Sequence, residues 1–304
     1  MNLINERIAT FLKEAQMAKK IPLVVLLGPT ASGKTALSIE LAERWNGEII
    51  SADSRQVYRG MDIGTDKISV EERRGVPHYL LDVADPSERF TVVDFMRLAH
   101  AAIEDIHARG KLPMLVGGTG LYISALTENF QIPETGASDE IRKKLNDDLH
   151  AHGPQWLHNK LKKVDPENAK KIHPHSYVYV LRALEIFYAT GKPKKDVKGE
   201  APYAVLRFGL RWPREVLAKR IEKRANSQFD RGLLEEVREL LAHGYNKDLA
   251  AMRTLGYRET IAYLNSEISL DEAKNLITKN TIKFSKRQMT WFKRDPSIVW
   301  IEGN

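Results

Sequence analysis

The 304-residue chain contains no cysteine, which excludes disulfides, thiolate zinc sites and cysteine nucleophiles in one step. Any metal must then sit on oxygen or imidazole. The nine histidines form no helical His-x-x-x-His pair beside an acid, and His173 and His175 are separated by Pro174, so a zinc enzyme is not expected. Long apolar runs are missing as well. The stretch from Leu23 to Leu27 falls well short of the roughly 20 residues that a membrane helix needs, and no membrane partner is expected. A secretion signal is not expected either: Glu6, Arg7, Lys13 and Glu14 are interleaved with Ile4, Ile8, Phe11 and Leu12, which is the spacing of an amphipathic helix. Internal repeats and low-complexity segments are not found.

What is present is enough apolar material, 42% of residues in 34.6 kDa, for one large domain or two smaller ones. The net charge of +7 is unevenly placed. Residues 1–130 hold 15 Lys/Arg and 17 Asp/Glu, whereas residues 131–304 hold 32 and 23. The second part is therefore strongly basic. Lysine runs at 160–163, 170–171 and 192–198 are of a kind common on solvated helix faces and linkers, yet a separate basic half favours a polyanionic partner.

Apolar β-type segments at 22–27, 48–52 and 112–116 alternate with helical patterns at 34–45 and 91–109, the order of βαβ units around a parallel sheet. From about 137 to 190 strand signals stop and short helical stretches follow. Strand character returns at 203–211 and again, after more helix, at 298–301. The expected plan is an α/β, P-loop NTPase-like parallel sheet core with an inserted helical domain: residues 1–20 an N-terminal helix, 21–130 and 195–304 the core, and 131–194 the insert.

The segment LVVLLGPTASGKT places Gly28, Gly33, Lys34 and Thr35 in the G-x-x-x-x-G-K-[ST] spacing, with a strand before and a helix after. Such a loop curls backbone N–H groups around phosphate oxygens, and the helix N-terminus adds partial positive charge. Lys34 would reach a phosphate oxygen, and the Thr35 hydroxyl would help to hold Mg²⁺. A kinase or ATPase usually carries an acid at the end of a neighbouring apolar strand. Here the strand at 112–116 runs into GGTGLY, which has none. The acid instead follows the second strand, as Asp53 in SADSRQVYRGMDIGT, at the carboxyl edge of the sheet. A turn or cap function is the alternative for Asp53, and Asp62 is a rival acid.

Together, GPTASGKT, SADSRQVYRGMDIGT, GVPHYLLDVADPSERF, LPMLVGGTGLY, LRALEIF, LGYRETIAYL and KRQMTWF closely resemble the tRNA dimethylallyltransferase family, from about residue 21 to the C-terminus. The resemblance implies transfer of a dimethylallyl group from dimethylallyl diphosphate to N6 of the adenine 3′-adjacent to the anticodon, with Mg²⁺ as cofactor. It also implies a cytoplasmic monomer whose helical insert grips the anticodon stem-loop. The loop Gly28, Pro29, Thr30, Ala31, Ser32, Gly33, Lys34 and Thr35 would then hold a diphosphate that departs intact. Asp53 matches the position of the base, Thr30 a position near the reacting atoms, and Arg224 an arginine on the diphosphate side. Ser54, Arg55, Gln56 and Thr119 match contacts to the target nucleotide and its tRNA. Arg253, Tyr257, Arg258, Lys286, Arg287 and Gln288 would touch RNA, while Trp291 and Phe292 are expected in the core.

The sequence departs from the family pattern at His175, Ser176 and Tyr179, where Asn-Asp and then Arg are usual, at Asn226 and Gln228, usually Asp and Met, and at Ile282, usually Arg. A tyrosine stacks on a base but cannot replace the phosphate fork of an arginine. The reaction centre is intact, and the departures bear on the RNA grip and on packing beside the site. An adenylate isopentenyltransferase is the nearest alternative, although a mononucleotide requires neither a helical insert nor a basic half. A small-molecule P-loop kinase and a nucleic-acid binder with a structural nucleotide are more distant ones.

Overall fold

A computed structural model of the chain describes residues 1–132, 139–193 and 198–303. They pack as two compact units, residues 1–129 with 200–304, and residues 130–199. In the first unit, α1 (Asn2–Met17) leads into β1 (Ile21–Leu27), α2 (Lys34–Trp45), β2 (Gly47–Ala52), a two-residue β3 (His78–Tyr79), α3 (Val92–Ala108), β4 (Leu112–Gly117) and α4 (Gly120–Thr127). The second unit contributes α5 (Asp139–Val164), α6 (Pro166–Lys171) and α7 (Tyr177–Thr190). The chain then returns to the first unit with β5 (Tyr203–Arg211), α8 (Arg214–Asp230), α9 (Leu233–Ala242), α10 (Tyr257–Leu264), α11 (Leu270–Phe292) and β6 (Ile298–Glu302).

All six strands pair in parallel, in the order β3-β2-β4-β1-β5-β6. A parallel sheet needs cover on both faces, and the side-chain alternation of β1 supplies it. Leu23, Val25 and Leu27 join one core with Phe95, Ile103, Tyr122 and Phe292. Val24 and Leu26 join the other, with Ile39 and Leu41 of α2 and with Ile4, Ile8, Phe11 and Ala15 of α1. The N-terminal helix is thus a layer of the sheet's packing.

At the N-terminal end of β2 the carboxylate of Glu48 is only 1% exposed. It accepts from Arg109 Nη1 and Nη2 at 2.7 and 2.6 Å, from Lys111 Nζ at 2.6 Å and from the Tyr79 hydroxyl at 2.7 Å. The Arg109 hydrogen bonds, and after them those of Lys111 and Tyr79, outweigh burial and hold this carboxyl down at about 2, from 4.5. Because the folded value lies below the unfolded one, this stabilisation is complete above pH 4.5 and is lost as pH falls toward 2. Glu48→Gln is expected to cost roughly 2–3 kcal/mol at pH 7, below the range of a fully buried pair because both cations keep a solvated side. Thermal melts of both proteins at pH 7 and pH 3 check it, the gap narrowing but not vanishing at pH 3, where the folded carboxyl is still mostly ionised.

In the second unit α5 is interrupted at Gly153 (φ 80°, ψ 173°), followed by Pro154. A φ of that sign suits glycine, and proline cannot continue the hydrogen-bond ladder. Leu145, Leu157, Leu161, Val180, Ala183 and Leu184 form its core, and Glu185 accepts from Arg142 and Arg182, both at 3.1 Å. Ser176 caps α7 by position, without a side-chain bond. Tyr179 is 65% exposed, and the ring of His175 stacks on His173 at 5.3 Å. Of the lysine-rich stretch 192–198, residues 194–197 lie outside the described residues.

Candidate active site

The carboxyl ends of β1, β2 and β4, with α8, α10 and α11, enclose a cavity of about 1090 Å³, all of it within the first unit. Pockets for a single small ligand run to roughly 1,000 Å³. A phosphorylated donor and a base therefore both fit.

The phosphate loop turns directly out of β1. Gly28 takes φ 151°, and a Cβ there would lie 2.8 Å from the Leu210 carbonyl oxygen, so the approach of β5 admits only glycine. Gly33, at φ 91°, is the N-cap of α2. Three side chains fasten the loop from outside. Arg220 Nε donates to the Ala31 carbonyl at 2.8 Å, Trp212 Nε1 to the Ser32 carbonyl at 2.9 Å, and Gln288 Oε1 accepts from Thr30 N at 3.0 Å. The Arg220 guanidinium also lies 4.4 Å from the Trp212 ring centroid. Lys34 Nζ donates to the Pro29 carbonyl at 2.8 Å. Burial lowers its ammonium to about 8, Asp53 opposes that shift and Arg224 adds to it. Thr35 is exposed on the cavity wall.

Asp53 follows β2. Its Oδ1 accepts from the Arg55 and Gln56 backbone N–H groups at 2.8 and 3.4 Å, an Asx-type turn, while Oδ2 has no hydrogen-bond partner among the described residues. Asp53 thus serves as a turn residue with one oxygen and leaves the other for the cavity. Asp62 does not line the cavity; it accepts from Lys67 Nζ at 2.6 Å, as Asp82 does at 2.6 Å.

Arg224 Nη1 donates to Thr30 Oγ1 in a short bond and Nη2 to the Thr65 carbonyl at 3.5 Å, with Nε 3.4 Å from Asp66. The expected pair of Thr30 and Arg224 is therefore in direct contact. Ser54 and Thr119, expected as separate RNA contacts, also touch: Ser54 N donates to Thr119 Oγ1 at 3.1 Å. Arg55 donates to the Ala250 carbonyl at 3.3 Å. The Gln56 amide reaches the Thr65 and Asp66 carbonyls at 3.4 and 3.2 Å. Arg253, Arg258 and Arg287 are exposed on the cavity rim.

Four expectations change. Tyr257 is fully buried, packed against Gly64, and donates to Glu236 at 2.6 Å, so in this structure it holds a turn rather than lining the cavity. Gln288 is buried and uses both ends of its amide inside the protein, donating from Nε2 to the Gly118 carbonyl at 2.9 Å. Lys286 is exposed but off the cavity wall, where Lys283 of the same helix stands instead. Trp291 is 37% exposed, lying over Gly120 with Nε1 3.2 Å from Ser124 Oγ, whereas Phe292 is in the core as expected.

Residues that the sequence reading missed act mostly through backbone. Glu236 accepts from the N–H groups of Asp62, Ile63 and Gly64 at 3.0, 2.6 and 3.1 Å. Gln228, one of the departures, donates to the Ile63 and Gly64 carbonyls, both at 2.9 Å; Asn226 is exposed and Ile282 half-buried. Only Arg220 left a signal, since it precedes Arg224 by one helical turn and shares its face.

A family model described as IPP transferase matches residues 56–295, and one described as isopentenyl transferase matches residues 21–88. A tRNA dimethylallyltransferase of Geobacter metallireducens is 50% identical over 289 residues, 93% of each chain. The crystal structure of the full-length tRNA isopentenylpyrophosphate transferase of Bacillus halodurans superposes with a TM-score of 0.70 at 44% identity, covering 93% of this chain and 90% of its own. A eukaryotic dimethylallyltransferase solved acting on tRNA gives a TM-score of 0.79 at 30% identity, covering 92% and 73%.

Proposed function

Because the chain belongs to the tRNA dimethylallyltransferase family, we propose that its cavity transfers a dimethylallyl group from dimethylallyl diphosphate to N6 of the adenine 3′-adjacent to the anticodon of tRNA, releasing diphosphate. The observation that carries this reading is that the phosphate loop and a carboxylate with one free oxygen, Asp53 Oδ2, line one cavity. At the end of β4, where a phosphoryl-transfer enzyme usually carries an acid, stand Gly117 and Gly118, pinned by Gln288.

In this reaction the C1–O bond of the donor breaks and its electron pair leaves with the diphosphate, while the N6 lone pair forms the new bond to C1. Negative charge grows on the leaving group, so donors that strengthen with it lower the barrier. Lys34, Arg224 and the N–H groups of the loop are those donors. Asp53 Oδ2 takes the N6 proton as the amine attacks. A neutral exocyclic amine is a weak nucleophile, so its alignment with C1 contributes beside proton removal.

Mg²⁺ fits this site as a partner of the diphosphate. Among the described residues no three His, Cys, Asp or Glu side chains gather to hold a metal, so the Thr35 hydroxyl would supply one oxygen and the phosphates most of the rest. When bound, the ion would neutralise charge on the leaving group.

For the acceptor, Ser54, Arg55, Gln56 and Thr119 line the cavity, Arg253, Arg258 and Arg287 ring it, and the basic second part of the chain supports a grip on the anticodon arm. No helix among the described residues is long and apolar enough to cross a membrane; a cytoplasmic monomer is the reading that the family carries.

Transfer of radiolabelled dimethylallyl to unmodified tRNA, run beside AMP and ATP with Mg²⁺ present, tests the proposal. Label on tRNA alone is the expected result, and label on the free nucleotides would identify an adenylate isopentenyltransferase. Binding of tRNA should also weaken steeply between about 50 and 200 mM salt, since phosphate contacts release counterions. A flat response in filter binding would remove the basic surface from the grip.

A further inference from the structure

Among the described residues the cavity wall gathers ten lysines and arginines against three carboxylates: Asp53, Asp66 and Glu72. Asp53 has its place in the reaction. Asp66 has none, yet it is held in a fixed direction. Its backbone is left-handed, at φ 56°, its N–H donates to the Ile63 carbonyl at 3.1 Å, and its own carbonyl accepts from Gln56. The carboxylate so aimed meets two arginines of one helix and its C-cap, Arg231 Nη2 at 2.7 Å and Arg224 Nε at 3.4 Å.

We propose that Asp66 is an internal counter-ion that competes with diphosphate for Arg224 and Arg231, and so acts as a positioning residue that sets how tightly the leaving diphosphate is held. This rests on the reading of the cavity as a prenyl diphosphate site. The sign of the effect follows from the other bonds of the arginines. Arg224 keeps Thr30 Oγ1 and the Thr65 carbonyl when Asp66 is removed, so it stays aimed at the phosphate loop. Arg231 has Asp66 as its one side-chain partner among the described residues and is freed to turn toward an anion. A fixed negative charge is also taken off a partly desolvated wall, where charges act over several ångströms. Each change strengthens anion binding.

Asp66→Asn is therefore expected to bind inorganic pyrophosphate roughly tenfold more tightly in the presence of Mg²⁺, read by titration calorimetry, and to show the same shift in its inhibition constant against dimethylallyl diphosphate. A merely structural role gives the opposite sign, since a loosened site binds less. Arg231→Gln, which removes one cation and leaves Asp66 with Arg224 as its remaining partner, should weaken pyrophosphate binding by a few fold. Unchanged or weaker binding in a folded Asp66→Asn overturns the proposal. Should that variant fail to fold, Arg231→Gln decides: weaker binding supports the competition, and equal or tighter binding overturns it. Pyrophosphate titration needs neither donor nor acceptor. A wild type that binds pyrophosphate but transfers nothing to tRNA would sink the functional reading separately.

Discussion

Asp53→Asn is expected to lower the rate of dimethylallyl transfer at saturating donor by roughly 10²-fold or more, while the dissociation constant for tRNA should stay within about twofold. The asparagine is chosen for what it preserves. Its Oδ1 still accepts from the Arg55 and Gln56 N–H groups, so the turn that presents Ser54 to Gln56 survives. Its amide nitrogen, in the place of Oδ2, carries no lone pair for a proton. Asp53→Ala removes both the base and the turn, and should cost transfer at least as much and tRNA affinity somewhat more. Single-turnover transfer beside filter binding separates the two contributions. An asparagine variant with near wild-type transfer would assign proton removal elsewhere and leave Asp53 with its turn alone. One side effect is built in: Asp53 partly offsets the lowering of the Lys34 ammonium, so its loss lowers that ammonium further and the comparison belongs well below pH 8, repeated at two pH values.

The local parts of this site are legible in the sequence. A buried strand, a glycine loop and a helix at 34–45 follow from contiguous residues, and the break of the long helix at Gly153-Pro154 follows from one dipeptide. The missing acid after β4 is read from six residues. The α/β class is equally plain, because β1, β2 and β4 are largely buried and apolar, and the return of the chain to the sheet at 203–211 shows as a run of mostly apolar residues despite Arg207 and Arg211. The two-residue β3 is too short to carry a pattern.

What stays hidden is whatever closes across the sequence. Gln288 reaches the phosphate loop from 258 residues away, and Glu236 gathers three N–H groups from a turn more than 170 residues earlier. No local period marks either of them. Tyr257 and Trp291 are misplaced for the same reason: an aromatic in a helix serves core or surface equally well until its neighbour is known. For Tyr257 that neighbour is Gly64 and for Trp291 it is Gly120, two glycines whose missing side chains decide how deeply each ring sits.

Lys34→Met is expected to lower transfer by roughly 10²- to 10³-fold, the scale of losing one donor to a developing oxyanion, and the pH profile of the wild type should identify the group independently. Burial holds the Lys34 ammonium at about 8. Below that pH the free enzyme presents a cation to the diphosphate, and above it a neutral amine. The kcat/KM for dimethylallyl diphosphate should therefore fall above about pH 8, since it reports the free enzyme. Bound diphosphate favours the charged amine and raises its value, so the corresponding limb in kcat lies at higher pH. Arg224 pushes the ammonium down, and Arg224→Gln should move the kcat/KM limb upward while weakening donor binding. In Lys34→Met the limb disappears. A limb that persisted there at the same pH would belong to another group, and the phosphate loop would then bind the donor without its lysine serving as the acid-range cation that the departing diphosphate requires.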